Sequence, residues 1–235
     1  FSWSKLREAL DFGLPKVPHS VAYQLLNMAD RKLLEWFSTL SAVGIYNVAY
    51  LFGTGVKFFL SAFELAWSPF IYSLLKRPDA PRTLARIATY AAVVVFAIGL
   101  AIAVLARELL VLMTGPEFHE GYPIVPLIVL AHVFQGLFIL TSIGIGISKK
   151  SFYYPVMTFC AATINITVNF VLIPRLGAMG AAWATVAGYG CMTGMGVYFS
   201  HRHYPIPFEW GRIGRIALAA GLSYLVSLSA PEGVF

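Results

Sequence analysis

Residues 84–105 read LARIATYAAVVVFAIGLAIAVL. Apart from Arg86 near its start, the run is close to unbroken apolarity over about 20 residues, the length an α-helix needs to cross a hydrocarbon core. A membrane β-strand would instead alternate apolar and polar residues over about ten positions, and this stretch does not alternate. Hydrocarbon offers the backbone no hydrogen-bond partner, so the stretch is predicted to be a transmembrane helix.

Six further apolar stretches flank it. The predicted spans are 15–36, 42–74, 84–106, 122–147, 152–173, 178–199 and 213–230, the second too long for a simple crossing. Of 235 residues 58% are hydrophobic and 12% charged, with a mean hydropathy of +0.73. That leaves too little polar surface to solvate a folded domain in water, so the expected fold class is all-α, a polytopic membrane helical bundle. No loop between the spans is long enough to house a separate catalytic module. Cys160 and Cys191 sit in apolar runs with no ligand-spaced partner, so neither a disulfide framework nor a metal site is expected, and no cofactor is implied. A chain that begins at Phe1 and stops just after an apolar segment reads as a fragment of a longer protein.

The net charge of +6 reflects topology rather than nucleic-acid binding, because the basic residues are spread over short loops. If the spans hold, one side carries Lys5, Arg7, Lys16, Lys76, Arg77, Arg82, Arg86, Lys149, Lys150, Arg202, Arg212 and Arg215. The other carries only Arg31, Lys32, Arg107 and Arg175. This asymmetry predicts that the first side, with the amino terminus, is cytoplasmic.

A charge at the bilayer centre costs about 3 kcal/mol on insertion scales, so an intramembrane charge marks a candidate site. The second span supplies Lys57 and Glu64, two helical turns apart, and Tyr46, Tyr50, Gly53, Ser61 and Ser68 extend them into one polar face. The first span repeats the pattern through His19, Tyr23, Asn27 and then Asp30 or Arg31. Shorter stripes follow at His132, Gln135 and Ser142, and at Thr158, Asn165 and Asn169; the asparagines read as interhelical glue. Two consecutive polar-faced helices suggest a shared wet cavity. The third span, almost without polar residues, reads as a lipid-facing peripheral helix. Gly180, Ala184, Gly188, Gly190 and Gly194 predict close helix packing. Trp36, Trp67, Tyr153, Tyr154, Trp183, Tyr204 and Trp210 are expected to anchor in the interfacial belts.

Several words of the sequence are more specific. Leu10-Asp11-Phe12-Gly13-Leu14-Pro15, Pro18-His19-Ser20, Asn27-Met28-Ala29-Asp30-Arg31, Val43-Gly44-Ile45-Tyr46 with Ala49-Tyr50, and Ala66-Trp67-Ser68-Pro69-Phe70 occur in order. Thr114-Gly115-Pro116-Glu117-Phe118 and Pro174-Arg175-Leu176-Gly177-Ala178-Met179-Gly180-Ala181-Ala182 follow. Together, over about residues 6–215, they resemble the second half of bacterial polysaccharide flippases of the Wzx type, in the multidrug/oligosaccharidyl-lipid/polysaccharide exporter superfamily. The resemblance implies a two-lobed alternating-access transporter of the inner (plasma) membrane. Residues 1–211 would form its second six-helix lobe and 212–235 the start of an extra helix pair, with the first lobe missing from the chain.

The expected function is then translocation of an undecaprenyl-pyrophosphate-linked oligosaccharide between leaflets, without enzymatic chemistry. Lys57 and Arg31 would attract pyrophosphate, and Tyr46, Tyr50, Asn27, His19 and Gln135 would meet sugar. Glu64 would hold Lys57 or titrate with a coupling ion, and Asp30 would pair with Arg31 or act as a gate. The expected partners are the lipid-linked oligosaccharide, the bilayer and a coupling ion, with no nucleic acid. Two alternatives stand beside this reading. A multidrug or cation antiporter of the same superfamily would use Glu64 and Asp30, although Lys57 and Arg31 oppose a cationic substrate. A membrane-embedded transferase acting on lipid-linked sugars would need an acid, base or metal cluster that the loop 108–120 does not display.

Overall fold

The computed structural model describes Trp3, Leu6, Arg7, Leu10, Gly13, Leu14 and residues 16–229. The expected span limits at Pro15 and Ala230, Lys5 of the charge count, and Asp11, Phe12 and Pro15 of the first sequence word lie outside the described residues, as do the side chains of Lys16 and Ser68. The elements in order are α1 (Lys16–Phe37), α2 (Leu40–Gly53), α3 (Gly55–Leu74), α4 (Ala80–Val104), α5 (Ala106–Met113), a 3-10 helix (Pro116–Gly121), α6 (Val125–Thr141), α7 (Ile143–Ile147), α8 (Tyr153–Leu176), α9 (Ala178–His203) and α10 (Trp210–Ser229). No strand occurs among the described residues.

The protein is a helical membrane protein. Ala80–Val104, Val125–Ile147 and Tyr153–Leu176 are each long and apolar enough to cross a bilayer, and α2 with α3 reaches that length and apolarity only as a bent pair. The other three expected spans are long enough but less apolar than the sequence reading required. Helices of 22, 26 and 20 residues reach about 30–39 Å at 1.5 Å per residue. In α1 the cause is its polar residues, Gln24, Asn27, Asp30, Arg31, Lys32 and Glu35, although the face it buries is apolar apart from Asp30: Ala22, Leu26, Leu33 and Leu34. In α9 it is glycine, threonine and tyrosine in a helix packed on α8 and α6, and in α10 it is Arg212 and Arg215 in the opening turns.

Helix α6 is the hub. Of the apolar window in Val125–Ile147, 78% is buried, against 33% in Ala80–Val104 and 39% in Tyr153–Leu176. Around α6 stand α9, α4, α2 and α3; α8 packs on α9, α1 on α8, and α10 on α4. Helix α4 is not merely peripheral. Its Ala85, Ala88, Ala91, Ala92 and Val95 are buried, while Tyr90, Val93 and Val94 face outward.

The single helix expected over 42–74 is two helices meeting at 44°. Thr39 caps the first, its Oγ1 accepting the Ala42 N–H at 3.2 Å. At the break the Thr54 hydroxyl donates to the Leu51 carbonyl at 2.6 Å, and the Lys57 N–H closes a tight three-residue turn onto the Thr54 carbonyl at 2.8 Å. Gly53 lets this corner press on the hub, because a Cβ there would fall 2.5 Å from Ile128 Cγ2. The bend divides the predicted polar face: Tyr46 and Tyr50 are buried, whereas Lys57, Ser61 and Glu64 follow the corner and face a cavity.

Helix α3 ends at Leu74, ahead of Pro78. In the loop that follows, Arg77 Nε and Nη2 reach the Asp79 carboxylate at 3.0 and 3.2 Å and Thr83 Oγ1 donates to it at 3.2 Å. These bonds, Arg77's foremost, hold the Asp79 carboxyl below its usual range. The predicted small-residue seam runs from Gly180 through Ala184 to Gly188, where a Cβ would meet Asn165 Cβ at 3.2 Å, and does not reach Gly194. A Cβ at Gly180 would meet the Leu172 carbonyl at 2.5 Å, whereas one at Gly194 would meet nothing within 4 Å. Gly180→Val is therefore expected to lower stability by about 1–3 kcal/mol, with overpacking against backbone the cause. Gly194→Ala leaves the thermal midpoint of the detergent-solubilised protein unchanged, and equal midpoints for the two variants would refute this packing.

Candidate functional site

Two adjoining cavities open between α1, α3 and α6. The first, about 250 Å³, is lined by His19 and Tyr23 of α1, Lys57, Leu60, Ser61 and Glu64 of α3, Gln135, Phe138 and Ile139 of α6, and Met192 of α9. The second, about 330 Å³, shares His19, Glu64, Phe138 and Ile139 and continues past Trp67 and Tyr72 to Ser142, Gly146, Ile147 and Tyr154. It thus runs toward the end of the bundle that carries Lys76, Arg77, Lys149 and Lys150.

Lys57 and Glu64 are the two charged side chains on the wall. The Lys57 ammonium is half-buried and has no hydrogen-bond or ion-pair partner among the described residues, and the exposed Glu64 carboxylate has none either. Two turns of α3 separate them by about 10 Å along the axis, too far for a direct pair. His19 bonds Thr158 Oγ1 through Nδ1, and its ring lies 5.7 Å from that of Tyr154 and 6.1 Å from that of Tyr23.

Behind the wall a polar network fills the space between α1, α2, α6 and α9. The Gln135 amide donates to Tyr23 OH, which turns the Gln135 carbonyl toward His132 Nδ1 at 2.9 Å. Nδ1 therefore carries the imidazole hydrogen, and the buried Nε2 is left without a partner in the structure. Tyr189 OH lies 3.2 Å from Tyr23 OH and 3.1 Å from Asn27 Oδ1, which also accepts from Tyr50 OH at 3.2 Å. Arg31 folds back on the same group: Nη1 donates to the Asn27 carbonyl at 2.6 Å, Nε to Asn47, and the guanidinium sits 4.5 Å over the Tyr50 ring.

One turn further, Asp30 is 1% exposed. Its Oδ1 accepts from Asn165 Nδ2 at 2.9 Å and Asn169 Nδ2 at 2.7 Å, and its Oδ2 from Thr185 Oγ1 at 2.7 Å and Tyr46 OH at 3.0 Å. All four donors are neutral, and no ion pair joins Asp30 to a described basic residue. The Asn169 amide oxygen beside it is buried without a partner. The expected Asp30–Arg31 pair does not form, because Arg31 points across Tyr50 and away from this cluster.

Of the predicted site residues, the fold brings His19, Lys57, Glu64 and Gln135 to the cavity wall. It places Asn27, Tyr46, Tyr50 and Asp30 in the network behind, with Arg31 bracing it. Asn165 and Asn169 tie α8 to α1, as glue would, but do so through a carboxylate that they share with donors of α2 and α9. Thr185 and Tyr189, four residues apart on α9, supply a hydroxyl to the Asp30 cluster and to the Tyr23–Asn27 cluster respectively, and were hidden among small residues. Trp67, Tyr153 and Tyr154 are not belt anchors: Trp67 is buried and stacks with Phe63 and Phe70, Tyr153 stacks on Phe199, and Tyr154 lines the cavity. Trp36, Trp183 and Trp210 do face outward.

The chain is 24% identical over 218 residues to an uncharacterized membrane protein of Methanocaldococcus jannaschii, an alignment covering 86% of this chain and 41% of that one. The chain thus spans about two-fifths of that relative's length. No family model matches the sequence, and no solved structure matches it.

Tyr23 OH is the junction of the cavity wall and the buried network. Tyr23→Phe strands the Gln135 amide and leaves the Tyr189 hydroxyl with Asn27 alone, an expected loss of about 1–3 kcal/mol. Ser61→Ala removes a hydroxyl that contacts only the cavity and leaves the thermal midpoint where it was; a Tyr23→Phe protein as stable as the parent would break the network account.

Proposed function

We propose that this chain is one lobe of a transporter that moves an undecaprenyl-pyrophosphate-linked oligosaccharide between the leaflets of the plasma membrane, with its amino terminus on the cytoplasmic side. The observation that supports this most is the Lys57 ammonium, unpartnered among the described residues and turned into a half-open cavity whose other polar groups are the Glu64 carboxylate, the His19 ring, tyrosines, an amide and hydroxyls. A phosphate 4 Å from a cation gains about 1 kcal/mol in bulk water but about 4 kcal/mol at an effective dielectric near 20. A cavity half-lined by apolar groups turns a weak surface attraction into useful binding. The rings of Tyr23, Tyr72 and Tyr154 and the carboxylate of Glu64 suit the faces and hydroxyls of a sugar.

In this reading Asp30 does not touch the substrate. A carboxylate buried among neutral donors, with a spare amide oxygen on Asn169, suits transient uptake of a proton or small cation, which would be the coupling ion. Its four partners come from α2, α8 and α9, so occupancy changes what holds those helices together. Glu64, also unpartnered, supports a second reading as a cation exporter, which Lys57 on the same face opposes.

Two outcomes are expected with the full-length protein. Lys57→Ala, expressed at normal level, lowers transport of lipid-linked oligosaccharide in reconstituted vesicles by about a hundredfold, equivalent to roughly 3 kcal/mol of lost phosphate attraction, and Lys57→Arg retains most of it. Normal flux in Lys57→Ala would end the phosphate assignment. Asp30→Asn keeps equilibrium binding of the lipid-linked sugar but makes flux indifferent to an imposed ion gradient. Gradient-driven flux persisting in that variant removes Asp30 from coupling.

A further inference from the structure

A third cavity, about 640 Å³ and larger than either of the two in the centre, lies on the outside of the bundle at the basic end of α9 and α10. It exists because α10 packs on α4 and not along α9, the helix it follows, so the two diverge from the connection 204–209 and leave a wedge. Gly194 and Val197 form its apolar floor, and a Cβ at Gly194 would meet nothing within 4 Å. Its rim holds Tyr198, His201 and Arg202 from α9 and Trp210 from α10, all exposed.

The charges on this rim are not spent internally. Arg202 Nη1 donates to the Tyr198 hydroxyl at 3.2 Å, a neutral partner, and no carboxylate of a described residue pairs with it. The nearby carboxylate of Glu209 is committed to Arg212 at 2.8 Å. Neither the His201 ring nor the Trp210 indole N–H has a hydrogen-bond partner among the described residues. The wedge therefore presents cationic and neutral donors at its mouth and an apolar slot behind them, at the depth where tyrosine and tryptophan sit in a bilayer.

The geometry points to a binding site for an anionic glycerophospholipid of the leaflet on the basic side. The headgroup phosphate accepts from Arg202, His201 and Trp210, and an acyl chain lies over Gly194 and Val197. Arg202 gives a fork of donors matched to a phosphate, and Tyr198 holds that fork in place. The inference rests on charge and shape at this wedge and is independent of what the central cavity carries.

The test uses the full-length protein purified in detergent and examined by native mass spectrometry against phosphatidylglycerol, phosphatidylcholine and inorganic phosphate in turn. The parent retains phosphatidylglycerol about fivefold over phosphatidylcholine, the preference that one arginine near an anionic surface supplies, and does not retain inorganic phosphate. Arg202→Ala abolishes the preference, Arg202→Lys keeps part of it, and Arg175→Ala at the opposite end leaves it intact. Equal retention of the two lipids, a preference untouched by Arg202→Ala, or retention of inorganic phosphate alone would overturn the assignment. A Gly194→Cys thiol that crosslinks to a downstream segment of the same protein, and not to a lipid-borne probe, would show the wedge filled by protein and overturn it too.

Discussion

A carboxylate with no countercharge joins four helices at one point. Asp30 comes from α1, and the groups that donate to it come from α2, α8 and α9, with sequence separations of 16 to 155 residues. Apolar packing against lipid cannot choose a register between helices, because hydrocarbon tails satisfy leucine as well as a neighbouring helix does. Directional bonds to a buried charge can. Moving any one of these helices by a turn would leave a buried carboxyl group and its donors unsatisfied in a medium without water. The close approach of α8 and α9 at Gly180 and the burial of Ala22 and Leu26 on α1 are consistent with that fixed point.

Much of this was legible in the chain. Residues 84–105 declared a membrane helix, and the four-residue steps from His19 to Asn27 and from Lys57 to Glu64 announced which faces would be wet. What could not be read was the break at Thr54. A stripe counted through Gly53 assumes a straight axis, and a 44° corner sends Tyr46 and Tyr50 into the core while Lys57 and Glu64 keep to the cavity. The Asp30 partners were equally hidden. Asn165 and Asn169 were visible as a pair, but a helical repeat says only that two side chains share a face, not that a carboxylate 135 residues earlier meets them. Thr185 and Tyr189 sit in a glycine-rich helix whose composition speaks for packing and conceals the two hydroxyls.

The aromatic residues show the same limit from the other direction. Tryptophan near a span end belongs to the interface on average, and Trp36, Trp183 and Trp210 are exposed there. Trp67 sits beside Pro69 at a span end too, yet it is buried because α4 and α7 close over the end of α3, as the cluster it forms with Ile71, Leu84 and Ile143 records. Position along a helix gives depth in the bilayer. Whether that depth is lipid or protein is decided by neighbours distant in sequence.

The two polar clusters meet on α1, and this bears on how an ion could move a substrate. Asn27 and Asp30 are one turn apart, and the rings of Tyr46 and Tyr50, each bonded to one of them, lie 5.8 Å from one another. Tyr189, four residues after Thr185 on α9, ties Asn27 and Tyr23 to the helix that also donates to Asp30. A ligand can shift a conformational equilibrium only by the difference in its affinity for the two states. Neutralising Asp30 supplies such a difference, because it alters four donor bonds between α1 and its neighbours while leaving the apolar contacts alone. The side chains that feel the change first are Asn27 and Tyr23, and Tyr23 is already part of the cavity wall. On the proposed reading, coupling therefore needs no long wire: ion site and substrate cavity are two faces of the same two turns of α1.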